Sequence, residues 1–240
     1  MATVEMHKDT HSARHRGLTP ATVRDVLLVG LAVSSGAVDA ISWLALGKVF
    51  SAFMTGNVIF LALGVTGAGG PGVAPVVVAL VAFAAGVALA VRIVKATSGS
   101  GVWPRRVSIA LGVSALVQLV FLAGWMATSG LPSPGAAEIL IGLSALAMGM
   151  QSGAVMSLGV PGVFTTAATA TLIDLVSDVA GWSQSAIEKR RFVGVLLGLL
   201  AGAAAGAALV VYARVYAPIL PLIATVLVIA AALIALQPAR

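Results

Sequence analysis

Five polar residues, Asp39, Thr55, Asn57, Gln151 and Thr169, fall inside stretches of sequence otherwise suited to hydrocarbon. An acidic residue at the centre of a membrane helix costs about 2.5–3.5 kcal/mol, so Asp39 must face protein and take a partner or a proton. The chemistry this offers is reversible binding of a proton or a cation. The competing reading is a carboxyl group that hydrogen-bonds a neighbouring helix and does nothing more. Asn57 lies in Met54-Thr55-Gly56-Asn57, where Gly and Asn both disfavour a continuous helix. Its amide can cap the half-helix that follows or coordinate a ligand. Thr55 and Thr169, with Thr171, would supply hydroxyls to the same cavity. Gln151 and Gln118 bring amides to membrane depth, where they serve as ligands or as hydrogen-bonding glue between helices.

Other groupings point less sharply to chemistry. Asp174 and Asp178 are four residues apart and share a helix face. Beside Glu188, Lys189, Arg190 and Arg191 they read as an interfacial ion-pair network or as a mouth that attracts cations. His7, His11 and His15 could line one helix face as metal ligands, or belong to a polar tail without fixed structure. No histidine occurs within the apolar segments, which excludes a membrane zinc-protease motif and a Ser/His pair for hydrolysis at depth. There is no cysteine and no Walker-type glycine loop. The expectation is therefore no enzyme, no cofactor and no metal site.

These residues have to be positioned by elements that lipid can accept. The 240 residues are 60% hydrophobic and 9% charged, too little polar surface to coat a soluble globule. The formal charge of +6 sits in short clusters rather than on one face, which argues for loop charges that set topology and against nucleic acid. Residues 1–25 form a polar, basic tail with Lys8, Arg14, Arg16 and Arg24, followed by an uncleaved first span. Eight hydrophobic segments follow, at 26–46, 50–66, 73–95, 107–128, 136–158, 163–180, 192–213 and 218–236. Gly- and Pro-rich turns separate them at 67–72, 98–104, 129–135 and 159–162.

Loop charge decides how many segments cross. If all eight did, with the tail inside, Arg92, Lys95, Arg105 and Arg106 would lie outside, against the positive-inside rule. Letting 50–66 dip in and return restores that cluster to the cytoplasm. The same is needed of 163–180 to keep Lys189, Arg190 and Arg191 inside, and only Lys48 and Arg214 then fall outside. Both segments are short and polar at their centres. Re-entrant backbone is tolerated only where it is buried in protein or lines a water-filled cavity, which ties this topology to function. Eight spans is the alternative, since helix packing can override loop charge.

The halves also resemble each other, at a spacing of 113 to 114 residues. Ala32, Gly36 and Ala40 match Ala145, Gly149 and Gly153, and Ala84 and Ala88 match Gly198 and Gly202. The domains read as the tail 1–25, a membrane repeat over 26–128 and a second over 136–236, inverted relative to the first. Gly194, Gly198, Gly202 and Gly206 form a ridge that lets helix backbones touch, either within the chain or between copies in a homo-oligomer.

The run from Gly36 to Gly47, with Asp39-Ala40-Ile41-Ser42, and the Met54-Thr55-Gly56-Asn57 element resemble the signature of the YoaK-like family. Met148-Gly149-Met150-Gln151 is similar to a second family element, although Ser152 stands where such proteins often carry Asn. The resemblance covers nearly the whole chain after the tail. It implies a small multi-pass bacterial membrane protein and, because the family has no established activity, no particular chemistry. The combined expectation is an all-helical bundle of six transmembrane helices plus two re-entrant segments. It would lie in the bacterial inner membrane with both termini cytoplasmic, surrounded by lipid. Its function would be secondary transport or conduction of a small solute or ion, with a scaffold or regulatory role as the alternative.

Overall fold

The computed structural model describes residues 19–95, 101–160 and 186–236, with Thr169, Leu172, Ile173 and Val176 between the last two ranges. Residues 1–18 of the polar tail, Thr171, Asp174 and Asp178 lie outside the described residues, whereas residues 20–25 of that tail form the first turns of α1. The helices are α1 (Pro20–Ala45), α2 (Met54–Thr66), α3 (Val73–Lys95), α4 (Arg105–Ala127), α5 (Pro134–Met156), α6 (Ala186–Tyr212) and α7 (Ile219–Ala235), with a 3-10 turn at Arg214–Tyr216 before α7. Six are long and apolar enough to cross a membrane, α7 together with its 3-10 turn. At 13 residues α2 is about 20 Å long and cannot span a hydrocarbon core of about 30 Å. The all-helical, six-span expectation holds, with a shorter apolar helix in the first half.

Several helices begin before their hydropathic segments because local chemistry favours it. Thr19 accepts a hydrogen bond on its hydroxyl from the Thr22 amide at 3.2 Å, and Pro20 takes the first helical position, so α1 starts a polar turn ahead of Val26. α5 likewise starts on Pro134. α6 runs through Glu188 to Arg191 before reaching apolar sequence.

Two apolar clusters mark the two ends of the bundle. One gathers Leu27, Ala90, Trp103, Val155, Phe192 and Ala232. Here lie the starts of α1, α4 and α6 and the ends of α3, α5 and α7, with Arg24, Arg92, Lys95, Arg105, Arg106 and Lys189 to Arg191; this is the basic face. The other gathers Leu46, Val76, Trp125, Leu140, Val210 and Ala217 at the opposite face. There the Trp125 indole donates to the Arg214 carbonyl at 2.9 Å and Arg214 Nε donates to the Gly130 carbonyl at 2.8 Å, pinning the α4–α5 turn to the α6–α7 turn. Ala45 to Gly47, Gly72 and Pro75 border one cavity with Pro132 and Pro134 on this face. The chain therefore leaves α1 and enters α3 on the same side, and α2 is re-entrant. The end of α5 and the start of α6 lie together on the basic face, so the chain also leaves and returns there on one side. Whether 163–180 dips between them lies outside the described residues.

Small residues set the helix pairs. α1 packs mainly on α6 and then α7, α5 packs on α3 and α4, and α4 meets α7. The glycine ridge of α6 meets α1 of the same chain. A Cβ at Gly198 would lie 2.9 Å from the Val29 carbonyl, one at Gly202 would collide with the Val33 carbonyl, and one at Gly206 would lie 2.8 Å from Ala37. In return Gly36 faces the Leu199 carbonyl. Gly86 and Gly149 make the equivalent approach between α3 and α5, facing the carbonyls of Leu146 and Phe83. Exposed Val58, Leu116, Leu200, Val211 and Ile234 turn outward, as lipid requires.

Candidate functional site

Between α1 and α2 the chain reverses and re-enters the bundle. Gly47 (φ 88°) and Lys48 (φ 62°) both take left-handed backbone, which glycine accepts freely and lysine only at a cost of about 1 kcal/mol or more. The reversal brings Phe50 to Phe53 back to the level of Asp39, which lies on α1 six residues before the end of that helix. Asp39 Oδ1 accepts hydrogen bonds from the amides of Ser51 at 2.8 Å and Ala52 at 2.7 Å. Ser51 is held again through its hydroxyl, which bonds Ser42 of α1 at 2.6 Å and Ser144 of α5 at 2.5 Å. Asn57 is fully buried and closes the other side of the loop: its Oδ1 accepts from the Phe50 amide at 3.0 Å and its Nδ2 donates to the Phe50 carbonyl at 2.6 Å. A buried backbone with no regular partner is thus satisfied by two side chains.

Beside this loop lies a partly open cavity of about 390 Å³, lined by Gly36, Asp39, Ala40, Trp43, Phe50, Phe53, Leu199 and Ala203. Leu199 lies at the middle of α6, which puts the cavity near mid-depth. Its aromatic wall is continuous. Trp43 stacks on Phe50 with ring centroids 5.0 Å apart, Phe53 meets Phe50 edge-on at 5.3 Å, and Phe60 of α2 stacks behind on Trp43 at 5.6 Å. Among the described residues no Lys, Arg or His pairs with Asp39.

The predicted site residues are only partly brought together. Asp39 lines the cavity, whereas Asn57 sits behind the loop and Thr55 and Thr169 are exposed. Gln151 is buried on α5, where its Nε2 donates to the Leu31 carbonyl at 3.0 Å and its Oε1 has no hydrogen-bond partner. Gln118 joins Thr225 at 3.1 Å, and Thr225 joins Ser34 at 3.1 Å, a buried polar link between α4, α7 and α1. Sequence reasoning overlooked the aromatic wall, although Trp43, Phe50 and Phe53 all stand in the stretch singled out by its Asp and Asn. It also overlooked Asp25, which binds Arg24 at 2.8 Å and approaches Arg191 at 3.9 Å on the basic face.

Comparison with known proteins bears on the family more than on chemistry. Residues 27–233 match the family described as "Protein of unknown function (DUF1275)". The UPF0700 transmembrane protein YoaK of Bacillus subtilis (strain 168) is 34% identical over 176 residues, covering 73% of this chain and 76% of its relative. No solved structure matches. A match across all the described helices, on a bundle whose re-entrant loop is held by the two motif residues Asp39 and Asn57, places this chain in the DUF1275 family of multi-pass membrane proteins, to which it belongs with YoaK.

Proposed function

We propose that the protein is a secondary transporter or channel for a small solute, rather than an enzyme, and that the solute passes through the cavity beside Asp39. One observation supports this reading: an acidic side chain within a membrane-spanning helix lines a partly open cavity, with no basic side chain of the described chain beside it. An ionisable group in that position is expensive and is kept where it does work on a solute, proton or ion. Re-entrant backbone next to a cavity is the setting in which transporters build their sites. Asp39 is the coupling or solute-binding group, and Asn57 holds the loop that forms one wall. Thr55, Thr169 and Gln151 contribute if the site enlarges in another state of the cycle.

The reading includes an inverted duplication. Exchanging α1 with α5, α3 with α6 and α4 with α7 carries the main helix pairs into one another, α1–α6 into α3–α5 and α4–α5 into α1–α7, with α4–α7 unchanged. The close approaches agree in detail: Gly36 and Gly149, like Val33 and Leu146, are 113 residues apart, while Gly86 and Gly202, like Phe83 and Leu199, are 116 apart. α3 and α6 thus correspond at a spacing two residues longer than the register suggested by matching Ala88 to Gly202. The basic face is cytoplasmic, by the positive-inside rule, in a bacterial inner membrane, which places both termini in the cytoplasm.

A scaffold role has its own supporting observation, since Asp39 Oδ1 is occupied by two loop amides. Reconstitution in proteoliposomes separates the two. Under transport, Asp39→Asn inserts and folds but loses solute flux driven by an imposed pH or ion gradient. Identical behaviour of the parent and the variant across a solute screen would leave only the scaffold.

A further inference from the structure

The composition of the cavity wall narrows the solute class. Apart from Asp39, the lining residues offer no hydroxyl, amide or basic side chain: Gly36, Ala40 and Ala203 are small, Leu199 is aliphatic, and Trp43, Phe50 and Phe53 are aromatic. A hard inorganic cation needs several oxygen ligands to replace its hydration shell, and this wall supplies one carboxylate. A proton alone needs no space of about 390 Å³. Neutral solutes rich in hydroxyls would lose more hydrogen bonds than the Asp39 carboxylate and the Trp43 indole N–H can return. A cation whose charge is spread over carbon substituents loses little on desolvation and gains from aromatic rings within about 6 Å.

Geometry adds to this. The amides of Ser51 and Ala52 bond Oδ1 of Asp39 and the Phe53 backbone bonds the same carboxylate, so the loop fixes the orientation of the acid at the cavity edge. The aromatic residues are held by their own stack, Trp43 and Phe50 on Phe60 at 5.6 and 5.9 Å, so the wall is pre-formed. At about 390 Å³ the space lies near the low end of ligand pockets, which sets the solute as small.

We propose that this cavity is a site for a small organic cation, a substituted ammonium compound seated against Trp43, Phe50 and Phe53 with its charge opposite the Asp39 carboxylate. The proposal rests on the transport reading for its place in a cycle and adds to it the class of solute. Choline and its carbon isostere 3,3-dimethylbutan-1-ol test it, because they differ in charge and hardly in shape. Binding is read by titration calorimetry and tryptophan fluorescence on the full chain in lipid nanodiscs, with tetramethylammonium and benzyltrimethylammonium as further probes. At least one ammonium probe is expected to bind, and the isostere not. Asp39→Asn should weaken binding by about tenfold or more, and Trp43→Leu by about threefold to thirtyfold. Should Asp39→Asn not fold, Trp43→Leu and the isostere still decide. The proposal is overturned if none of the three ammonium probes binds, if the isostere binds as well as choline, or if binding survives Trp43→Leu unchanged. Specific binding without flux of the bound cation into proteoliposomes keeps the site and ends the transport reading; flux of other solutes with no ammonium binding does the reverse.

Discussion

Asn57 shows how one amide can stand in for secondary structure. Its donor and acceptor are both spent on the backbone of Phe50, as a neighbouring strand would spend them. Asn57→Ala leaves the Phe50 amide and carbonyl buried without those partners, at about 1–3 kcal/mol each. The expected result is a clear drop in the thermal midpoint in detergent, whereas Thr55→Ala, at an exposed position, should leave it unchanged. An equal midpoint for both variants would mean the loop is held by something else. Asp39 and Asn57 were legible in the sequence because a polar residue within an apolar run is conspicuous whatever it does. The groups that donate to them were not legible, because Ser51, Ala52 and Phe50 contribute backbone amides that no residue type announces. The aromatic wall escaped for a related reason: Trp and Phe in an apolar segment look like ordinary lipid-facing or core residues until their rings are seen stacked.

At the scale of helices, packing is decided by missing side chains. Gly202 lets α6 touch the backbone of α1 at Val33, and Gly36 returns the contact to α6. Gly202→Leu should prevent folding or insertion altogether, since backbone cannot yield as a flexible side chain can. Leu200→Ala, on the exposed side of the same helix, should be tolerated. The comparison is read as the yield of monodisperse protein after detergent extraction, and equal yields would contradict the packing. The ridge itself was visible as a four-residue repeat of glycine. Its partner was not, because the pairing of α6 with α1 joins residues more than 150 positions apart and meets Val29, Val33 and Ala37 largely through their backbone, which no residue type announces.

For the whole molecule, loop charge and hydropathy carried most of the information. Keeping the basic start of α1 and the Lys and Arg clusters at 92–106 and 189–191 on one face requires an even number of crossings between each and the next, and α2 is too short to add a crossing between the start of α1 and the 92–106 cluster. Reporter fusions after Gly70 and after Gly130 should both report the outside, and fusions after Gly101 and at the C-terminal end should report the cytoplasm. A cytoplasmic signal after Gly70 would end the re-entrant topology. Hydropathy alone misleads here, because 50–66 is as apolar as a true span. Only its length and its Gly-Asn centre separate the two.

The loop that Asp39 grips can also be considered as a population. Ser144 directs its one hydroxyl proton to the Ile141 carbonyl, so Ser51 must donate to Ser144 and Ser42 to Ser51, and the three hydroxyls point one way. Ser51 cannot slip off α5 without also releasing α1, and its amide leaves Asp39 in the same movement. The bonds at stake are those of Ser51 and Ala52 to Asp39 and of Ser51 to Ser42 and Ser144. At about 1 kcal/mol net for each, they leave the loop detached in about one molecule in a thousand. Burial of Val49 and Ala52 in the same loop lowers that fraction further, so bonds to α1, bonds to α5 and apolar packing have to be given up together before the loop can leave.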